Sequence, residues 1–172
     1  MGNVVIVGGG AAGMMAAVAA ARSGHLVRIY EKNEKLGKKI YITGKGRCNV
    51  TNACETEELF AGMVSNPKFL YSGFYGFTSQ DMMRFLEENG CPVKVERGNR
   101  VFPVSDKSSD VIRAITGQLS RLGVEICLGQ EVSGLMARDG QIQGIGLKKG
   151  ERKVPADAVI VASGGLSYPS TG

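Results

Sequence analysis

The stretch that decides the fold is residues 3–31, which read NVVIVGGGAAGMMAAVAAARSGHLVRIYE. Asn3–Val7 is a short β-branched run, typical of a strand that is buried on both faces of a parallel sheet. Ala11–Ser23 is rich in Ala and Met and predicts a helix with Gly24 at its C-cap. Leu26–Glu31 predicts a second strand. Together these segments form a β-α-β unit of about thirty residues, the length expected of that motif.

The turn into the helix fits the pattern G-x-G-x-x-G, with glycines at positions 8, 10 and 13. The pattern alone is common, but here it follows a strand, opens a helix and is followed by an acid at the end of the next strand. Gly8 permits the tight turn, Gly10 lets the backbone approach a pyrophosphate, and Gly13 lets the helix pack on the sheet. The helix N-terminus offers N–H groups and a positive dipole end to phosphates.

Glu31 is placed to accept hydrogen bonds from the ribose hydroxyls, and its charge would repel a 2′-phosphate. The alternative is a glycine-rich turn with an incidental surface acid. The combined spacing favours a dinucleotide site that does not suit NADP.

The middle of the chain reads mainly as loop and helix. Lys32–Asn52 has little periodicity and predicts a long loop, and Glu55–Phe77 predicts short helices. Thr78–Asn89 predicts a helix with a capping box, and Asp106–Leu122 predicts an amphipathic helix. Residues 93–102 predict a small hairpin between these two helices. We interpret the pair Ser105-Asp106 as a cap of the helix that follows it.

The last fifty residues favour strands. Val124–Leu128 predicts a strand beside the first two, and Ala158–Ala162 predicts another parallel strand that ends at glycines. Glu131–Ala137 and Gln141–Lys148 alternate in polarity and meet at Asp139-Gly140, a strong hairpin signal. The order predicts an α/β fold: a Rossmann-like, doubly wound dinucleotide-binding domain of the glutathione-reductase type, with a β-meander and a small helical insertion.

Composition narrows the function classes. A chain of 172 residues with 43% apolar residues is long enough for one domain with a core. Its net charge of +5 suits a phosphate-bearing ligand or a nucleic acid without choosing between them. The four cysteines form no C-x-x-C pair, so we expect no metal site and reduced thiols in the cytoplasm. The apolar run Met14–Ala21 is too short to span a membrane, and we expect no export signal.

The spacing leaves the choice between FAD and NAD open. A meander in place of a second crossover helix favours FAD, and so does the turn Ala162-Ser163-Gly164-Gly165, which would return to the cofactor edge. Either feature could also belong to a dehydrogenase.

Four segments carry a resemblance to a known family. They are Gly8–Ala17 (GGGAAGMMAA), Gly37–Asn52 (GKKIYITGKGRCNVTN), Arg100–Asp110 (RVFPVSDKSSD) and Ala162–Gly172 (ASGGLSYPSTG). Together they resemble the bacterial flavoprotein family that is named after a bile-acid reductase and includes proteins similar to ribosomal-RNA dihydrouridine synthases. The resemblance covers the whole chain. It implies that residues 1–172 are the FAD-binding domain, with a helical insertion at about 53–104, and that a substrate domain and a C-terminal segment of the longer protein are missing.

The resemblance also implies which residues hold FAD, with NAD(P)H as the electron donor. Its implied cofactor-binding residues are Gly8, Gly10, Ala11, Ala12, Gly13, Glu31, Lys32, Lys39, Gly44, Arg47, Asn49, Val132, Ala162 and Gly164. Among them, Val132 would contact the adenine through its backbone. The family usually has Thr at position 163, and Ser163 keeps the hydroxyl group.

The expected chemistry is hydride transfer from NAD(P)H, through the flavin, to an electron-poor C=C bond. Cys48 lies between Arg47 and Asn49 and is a candidate proton donor, with a buried structural thiol as the alternative. For Arg47 and Lys45, phosphate binding and surface solvation are equal alternatives.

Three functions follow from these expectations. They are a reductase of uridine in ribosomal RNA, a reductase of small steroid-like enones, and a dinucleotide-binding fragment with no activity of its own. The expected partners are thus a small-molecule cofactor and ribosomal RNA, with no membrane.

Overall fold

The computed structural model describes residues 1–149 and 152–167, and the chain divides into two compact units. Unit 1 comprises Met1–Ile40 and Ile115–Gly172, and unit 2 comprises Tyr41–Ala114. Residues 168–172, which end one of the segments that carry the family resemblance, lie outside the described residues. Within the described part of the chain, every helix is too short or too polar to cross a bilayer.

The described part of the chain contains ten strands and five α-helices, with 3-10 turns at Ile40–Gly46 and Pro67–Leu70. In order they are β1 (Asn3–Val7), α1 (Ala11–Arg22), β2 (Leu26–Glu31), β3 (Thr51–Asn52), α2 (Thr56–Ala61), α3 (Tyr71–Gly76), α4 (Ser79–Glu88), β4 (Val93–Glu96), β5 (Arg100–Pro103), α5 (Ser108–Arg121), β6 (Glu125–Leu128), β7 (Val132–Arg138), β8 (Gln141–Leu147), β9 (Lys153–Pro155) and β10 (Ala158–Val161).

Unit 1 contains a four-stranded parallel sheet in the order β10-β1-β2-β6. This order confirms the predicted β-α-β unit and places the two later parallel strands at the edges. Val4–Ile6 of β1 are buried, and so are Met14, Ala17 and Val18 of α1; Ile6 and Met14 are each 0% exposed. The C-cap of α1 is Ser23, one residue before the predicted Gly24, and Gly24 takes the left-handed conformation that ends the helix (φ 82°).

A second sheet of unit 1 is the antiparallel meander β7-β8-β9. Asp139 and Gly140 both have positive φ (51° and 76°), as the predicted tight hairpin requires. The third strand, β9, is absent from the sequence prediction, because three residues that include a proline give no periodic signal. The meander and the parallel sheet share a core of Val5, Tyr30, Ile145, Leu147, Val154 and Ala156.

Unit 2 contains a small antiparallel sheet in the order β3-β5-β4 together with short helices. The pairing of β4 with β5 confirms the predicted hairpin. α4 has the predicted capping box, in which Thr78 Oγ1 accepts from the Asp81 N–H (3.2 Å) and the Thr78 N–H donates to Asp81 Oδ2 (2.9 Å). The segment predicted as a long loop also contains the 3-10 turn Ile40–Gly46 and the two residues of β3.

One local prediction in unit 2 is wrong. Asp106 does not cap α5, because its carboxylate accepts hydrogen bonds from Lys94 Nζ (2.7 Å) and Arg47 Nε (2.8 Å) and its backbone is left-handed (φ 56°). Ser105 Oγ accepts instead from the Lys107 N–H (3.3 Å), one residue before the helix begins.

Candidate dinucleotide site

The carboxyl ends of β1 and β10 bring two glycine-containing turns together in unit 1. The Ala162 N–H donates to the Val7 carbonyl (2.8 Å), which places the turn after β10 beside the turn after β1. A Cβ added at Gly8 would overlap the Ala162 carbonyl oxygen, and Gly8 has a positive φ of 103°. The contact between the two turns therefore depends on glycine at position 8. Parallel sheets of this class bind ligands at this edge.

The N-terminus of α1 opens at the same edge. Gly10 is the N-cap in an extended conformation, and its helix has no side-chain cap. A Cβ added at Gly10 would have no heavy atom of residues 1–149 or 152–167 within 4 Å, and Ala11 and Ala12 are exposed. A helix without a side-chain cap leaves its first N–H groups available to an anion. Open space over these groups therefore fits a pyrophosphate.

Gly13 shows the opposite environment, because it is buried under the turn. A Cβ there would overlap the Gly8 carbonyl oxygen and lie 3.3 Å from Ile6 Cγ2 on β1. This close approach of helix to strand is the packing that the glycine pattern calls for.

The Glu31 carboxylate lies at the end of β2 and is buried, at 8% exposure. Its Oε2 accepts from the Gly9 N–H (2.7 Å), and its Oε1 accepts from the Asn33 N–H (2.8 Å) and from Asn33 Nδ2 (2.7 Å). A carboxylate has about four acceptor positions, so these bonds occupy most of its capacity. That Glu31 accepts hydrogen bonds from the ribose hydroxyls of a dinucleotide stays a prediction.

Two further predicted residues lie around this edge. Lys39 Nζ is 3.4 Å from the Gly165 carbonyl oxygen, and it lies 3.7 Å from the position that a Cβ would take at Gly164. The structure thus brings a cation to the second turn. Lys32 follows Glu31 in sequence and is exposed.

Val132, the residue predicted to contact the adenine, lies at the start of the meander. Val132 begins β7, where it pairs with Leu147 and packs against the shared core. The Gln130 N–H donates to the Glu31 carbonyl (2.9 Å), so the chain that leads into β7 starts next to the end of β2.

Unit 2 holds the four other predicted residues, all in the loop Thr43–Asn49. Gly44 is left-handed, and a Cβ there would lie 2.9 Å from the Asn49 N–H nitrogen. In the orientation that satisfies its amide, the Asn49 side chain donates to the carbonyls of Thr51 (3.2 Å) and Val101 (3.3 Å).

The Arg47 guanidinium is engaged inside unit 2. It forms ion pairs with Glu96 and with Asp106 (2.7 Å), and its Cζ lies 4.1 Å above the ring of Phe102. Hydrogen bonds from Lys94 and then from Arg47 lower the pKa of the Asp106 carboxyl, and the hydrogen bond from Arg47 lowers the pKa of the Glu96 carboxyl. The basic character of Arg47 is therefore balanced locally by acids that lie about fifty residues away in sequence.

The Cys48 thiol is 6% exposed, and its backbone is left-handed (φ 61°). Burial raises the pKa of the Cys48 thiol, although a hydrogen bond with Thr43 opposes the shift. The thiol is therefore protonated at neutral pH, which is compatible both with a proton donor and with a structural cysteine. Among residues 1–149 and 152–167 no group of three metal-binding side chains comes together.

Asn33 and Leu36 are the contacts of this site that sequence reasoning missed. Asn33 binds Glu31, and the Leu36 side chain contacts the position that a Cβ would take at Gly9. Both lie in a segment without periodicity, so no sequence signal marks them.

Two curated relatives match the chain over nearly its whole length. The chain is 34% identical to a 3-dehydro-bile acid delta(4,6)-reductase of Clostridium scindens. The alignment of 174 positions covers 100% of the chain and 41% of that protein. The chain is also 28% identical to a ribosomal RNA dihydrouridine synthase of Haemophilus influenzae. That alignment of 170 positions covers 98% of the chain and 41% of the synthase. The chain thus spans about two fifths of the length of these relatives.

A solved structure supports the fold at lower identity. The 3-ketosteroid-delta4-(5alpha)-dehydrogenase of Rhodococcus jostii RHA1 has a TM-score of 0.71 and 18% identity, over 93% of this chain and 45% of that one. This likeness shows the Rossmann-like α/β fold and confirms the predicted fold class.

The family model described as HI0933-like protein Rossmann domain matches residues 2–172. This match and the two relatives confirm the resemblance that the four sequence segments carry. The chain belongs to the HI0933-like protein Rossmann domain family.

Proposed function

We propose that this chain is the FAD-binding part of an oxidoreductase. The observation that carries the proposal is the uncapped N-terminus of α1, where no atom of the described residues lies over Gly10 at the sheet edge shared with the turn after β10. FAD, when bound, supplies the hydride chemistry, and the protein supplies binding and orientation.

Different residues of unit 1 bind different parts of FAD. The N–H groups at the start of α1 bind the pyrophosphate, where the helix dipole favours negative charge. Glu31 and Lys32 lie on the ribose side, and Lys39 adds a positive charge beside the second turn. The backbone of Val132 contacts the adenine. The full proposed set in unit 1 is Gly8, Gly10, Ala11, Ala12, Gly13, Glu31, Lys32, Lys39, Val132, Ala162 and Gly164.

Gly44, Arg47 and Asn49 of unit 2 stay predictions from the family resemblance. For Arg47, the ion pairs with Glu96 and Asp106 weigh against phosphate binding, since its charge is already balanced.

The proposed reaction is the reduction of an electron-poor C=C bond with a hydride that originates from NAD(P)H, in the cytoplasm. We take uridine in ribosomal RNA as the substrate, because two relatives at 28% and 29% identity are named ribosomal RNA dihydrouridine synthases. The net charge of +5 is compatible with an RNA partner. Cys48 is the proposed proton donor, since its raised pKa keeps the thiol protonated.

A small enone is the second candidate substrate. It is favoured by the 34% identity to the bile acid reductase, which exceeds the identity to the two RNA-modifying relatives. An apolar ring system would need an apolar pocket, and the chain spans only 41% of this relative.

The cofactor is tested by purifying the chain, denaturing it and identifying any released small molecule by chromatography. We expect FAD, because the glycine turn, the start of α1 and the turn after β10 lie at one edge. Protein that releases no FAD, and that binds none when FAD is added, would contradict the proposed cofactor.

The substrate class is tested by the salt dependence of binding. If ribosomal RNA is the substrate, the logarithm of the affinity of the chain for a uridine-containing ribosomal RNA fragment should fall linearly with the logarithm of the salt concentration. A steroid enone should then bind no better than its saturated analogue. Binding of the enone in preference to that analogue, with no measurable affinity for RNA, would favour the second candidate.

A further inference from the structure

Glu31 is the one charged side chain that is buried among residues 1–149 and 152–167. A buried carboxylate is costly unless hydrogen bonds compensate its charge. Here three donors do so, and two of them are backbone N–H groups. Because bonds to an ionised group are stronger than neutral ones, the backbone groups that Glu31 binds are held firmly.

One of those backbone groups belongs to the glycine turn itself. Glu31 Oε2 accepts from the Gly9 N–H (2.7 Å), which lies in the middle of the turn between β1 and α1. This N–H therefore points to Glu31 rather than to a ligand. The turn is fixed on its other side as well, since the Gly37 N–H donates to the Gly9 carbonyl (2.8 Å).

The carboxylate is fixed in turn by its neighbours. Asn33 binds Oε1 with both its backbone N–H and its side-chain amide, while its Oδ1 accepts from Lys38 Nζ (3.1 Å). The Gly129 N–H donates to the Asn33 carbonyl (3.0 Å), which ties this segment to the end of β6. Glu31 thus sits in a chain of bonds that runs from β6 to the glycine turn.

We propose that Glu31 is a positioning residue for the glycine turn: it orients the Gly9 peptide and so holds the phosphate-binding groups at the start of α1. This inference rests on the proposed function and deepens it, because the family pattern assigns an acid at this position to the ribose alone. Loss of Glu31 then weakens binding of the phosphates as well as binding of the ribose.

Two ligands that differ only at the ribose test this role of Glu31. ADP has both ribose hydroxyls, whereas 2′,3′-dideoxy-ADP has none and keeps the diphosphate. We expect Glu31→Gln to weaken dideoxy-ADP by roughly tenfold and ADP by a larger factor, since a glutamine cannot accept from all three donors and the contact with the ribose is lost as well. If Glu31 acts on the ribose alone, Glu31→Gln weakens ADP and leaves dideoxy-ADP unchanged, and that result overturns the proposal.

The matched control is Glu87→Gln, the same change of charge at an exposed position on α4. It should leave both affinities within about twofold of the original chain, a difference of about 0.4 kcal/mol. Should Glu31→Gln fail to fold, Glu31→Asp keeps the charge, and its shorter side chain cannot reach both Gly9 and Asn33.

A second measurement needs no ligand. Amide hydrogen exchange over the segment Val7–Gly13 should be about tenfold faster in Glu31→Gln than in the original chain, and unchanged in Glu87→Gln. Unchanged exchange in Glu31→Gln overturns the proposal even if neither ADP nor dideoxy-ADP binds the original chain. That absence of binding would by itself count against the proposed function, so the two failures are distinguishable.

Discussion

Gly13→Ala is expected to lower the free energy of unfolding by about 3 kcal/mol, at the upper end of the cost of overpacking a core. The added Cβ would overlap the Gly8 carbonyl oxygen and press on Ile6 of β1. Both neighbours are held in place, because Gly8 is part of the tight turn and Ile6 is fully buried. No rotamer change relieves a clash with a backbone oxygen, so α1 would have to move off the sheet. The shift in the midpoint of urea denaturation, followed by circular dichroism, measures the effect.

The control for this prediction is Gly117→Ala on α5. A Cβ at Gly117 has no heavy atom of the described residues within 4 Å, so alanine meets no clash with them. Because alanine favours the helix over glycine, Gly117→Ala should stabilise the chain by about 0.5 to 1 kcal/mol. The same chemical change thus has opposite signs at two helical positions. A Gly13→Ala chain as stable as the original would show that α1 does not depend on its close approach to the turn.

The parts of the fold that the sequence predicts correctly depend on local signals. The β-α-β unit follows from local signals: a β-branched run, a glycine pattern at fixed spacing and a second apolar run. The hairpin at Asp139-Gly140 follows from the positive φ that a tight turn requires. In each case the residues that decide the structure are neighbours in sequence.

The features that sequence reasoning missed depend on residues that are far apart in the chain. Arg47 stands in a basic run that leaves phosphate contact and surface solvation as equal alternatives, and its ion pairs with Glu96 and Asp106 cannot be read from that run. The same ion pairs explain why Asp106 does not cap α5. At Glu31 the type of residue is predicted, whereas the bond to the Gly9 N–H exists only once β2 lies beside β1. Local spacing carries no information on such partners.

Gly10→Ala is expected to leave the fold intact and to abolish most of the ADP binding. The φ and ψ of Gly10 (−78° and −172°) suit any residue, and an added Cβ meets no atom within 4 Å in the part of the chain that the structure describes. Stability should therefore change by less than about 0.5 kcal/mol. The methyl group would occupy the open space over the start of α1, which we assign to the pyrophosphate. We expect the affinity for ADP to fall by roughly a hundredfold, or about 2.7 kcal/mol, measured by calorimetric titration.

The control for Gly10→Ala is Gly73→Ala in α3, another glycine whose added Cβ would contact no described residue. It should leave the affinity for ADP unchanged, and because alanine favours a helix over glycine it should raise the stability by up to about 1 kcal/mol. ADP that binds Gly10→Ala as tightly as the original chain would mean that the pyrophosphate does not approach the backbone at this turn. The pair Gly13→Ala and Gly10→Ala then separates the two roles of the glycine pattern, since the first acts on the packing of α1 and the second acts on the ligand alone.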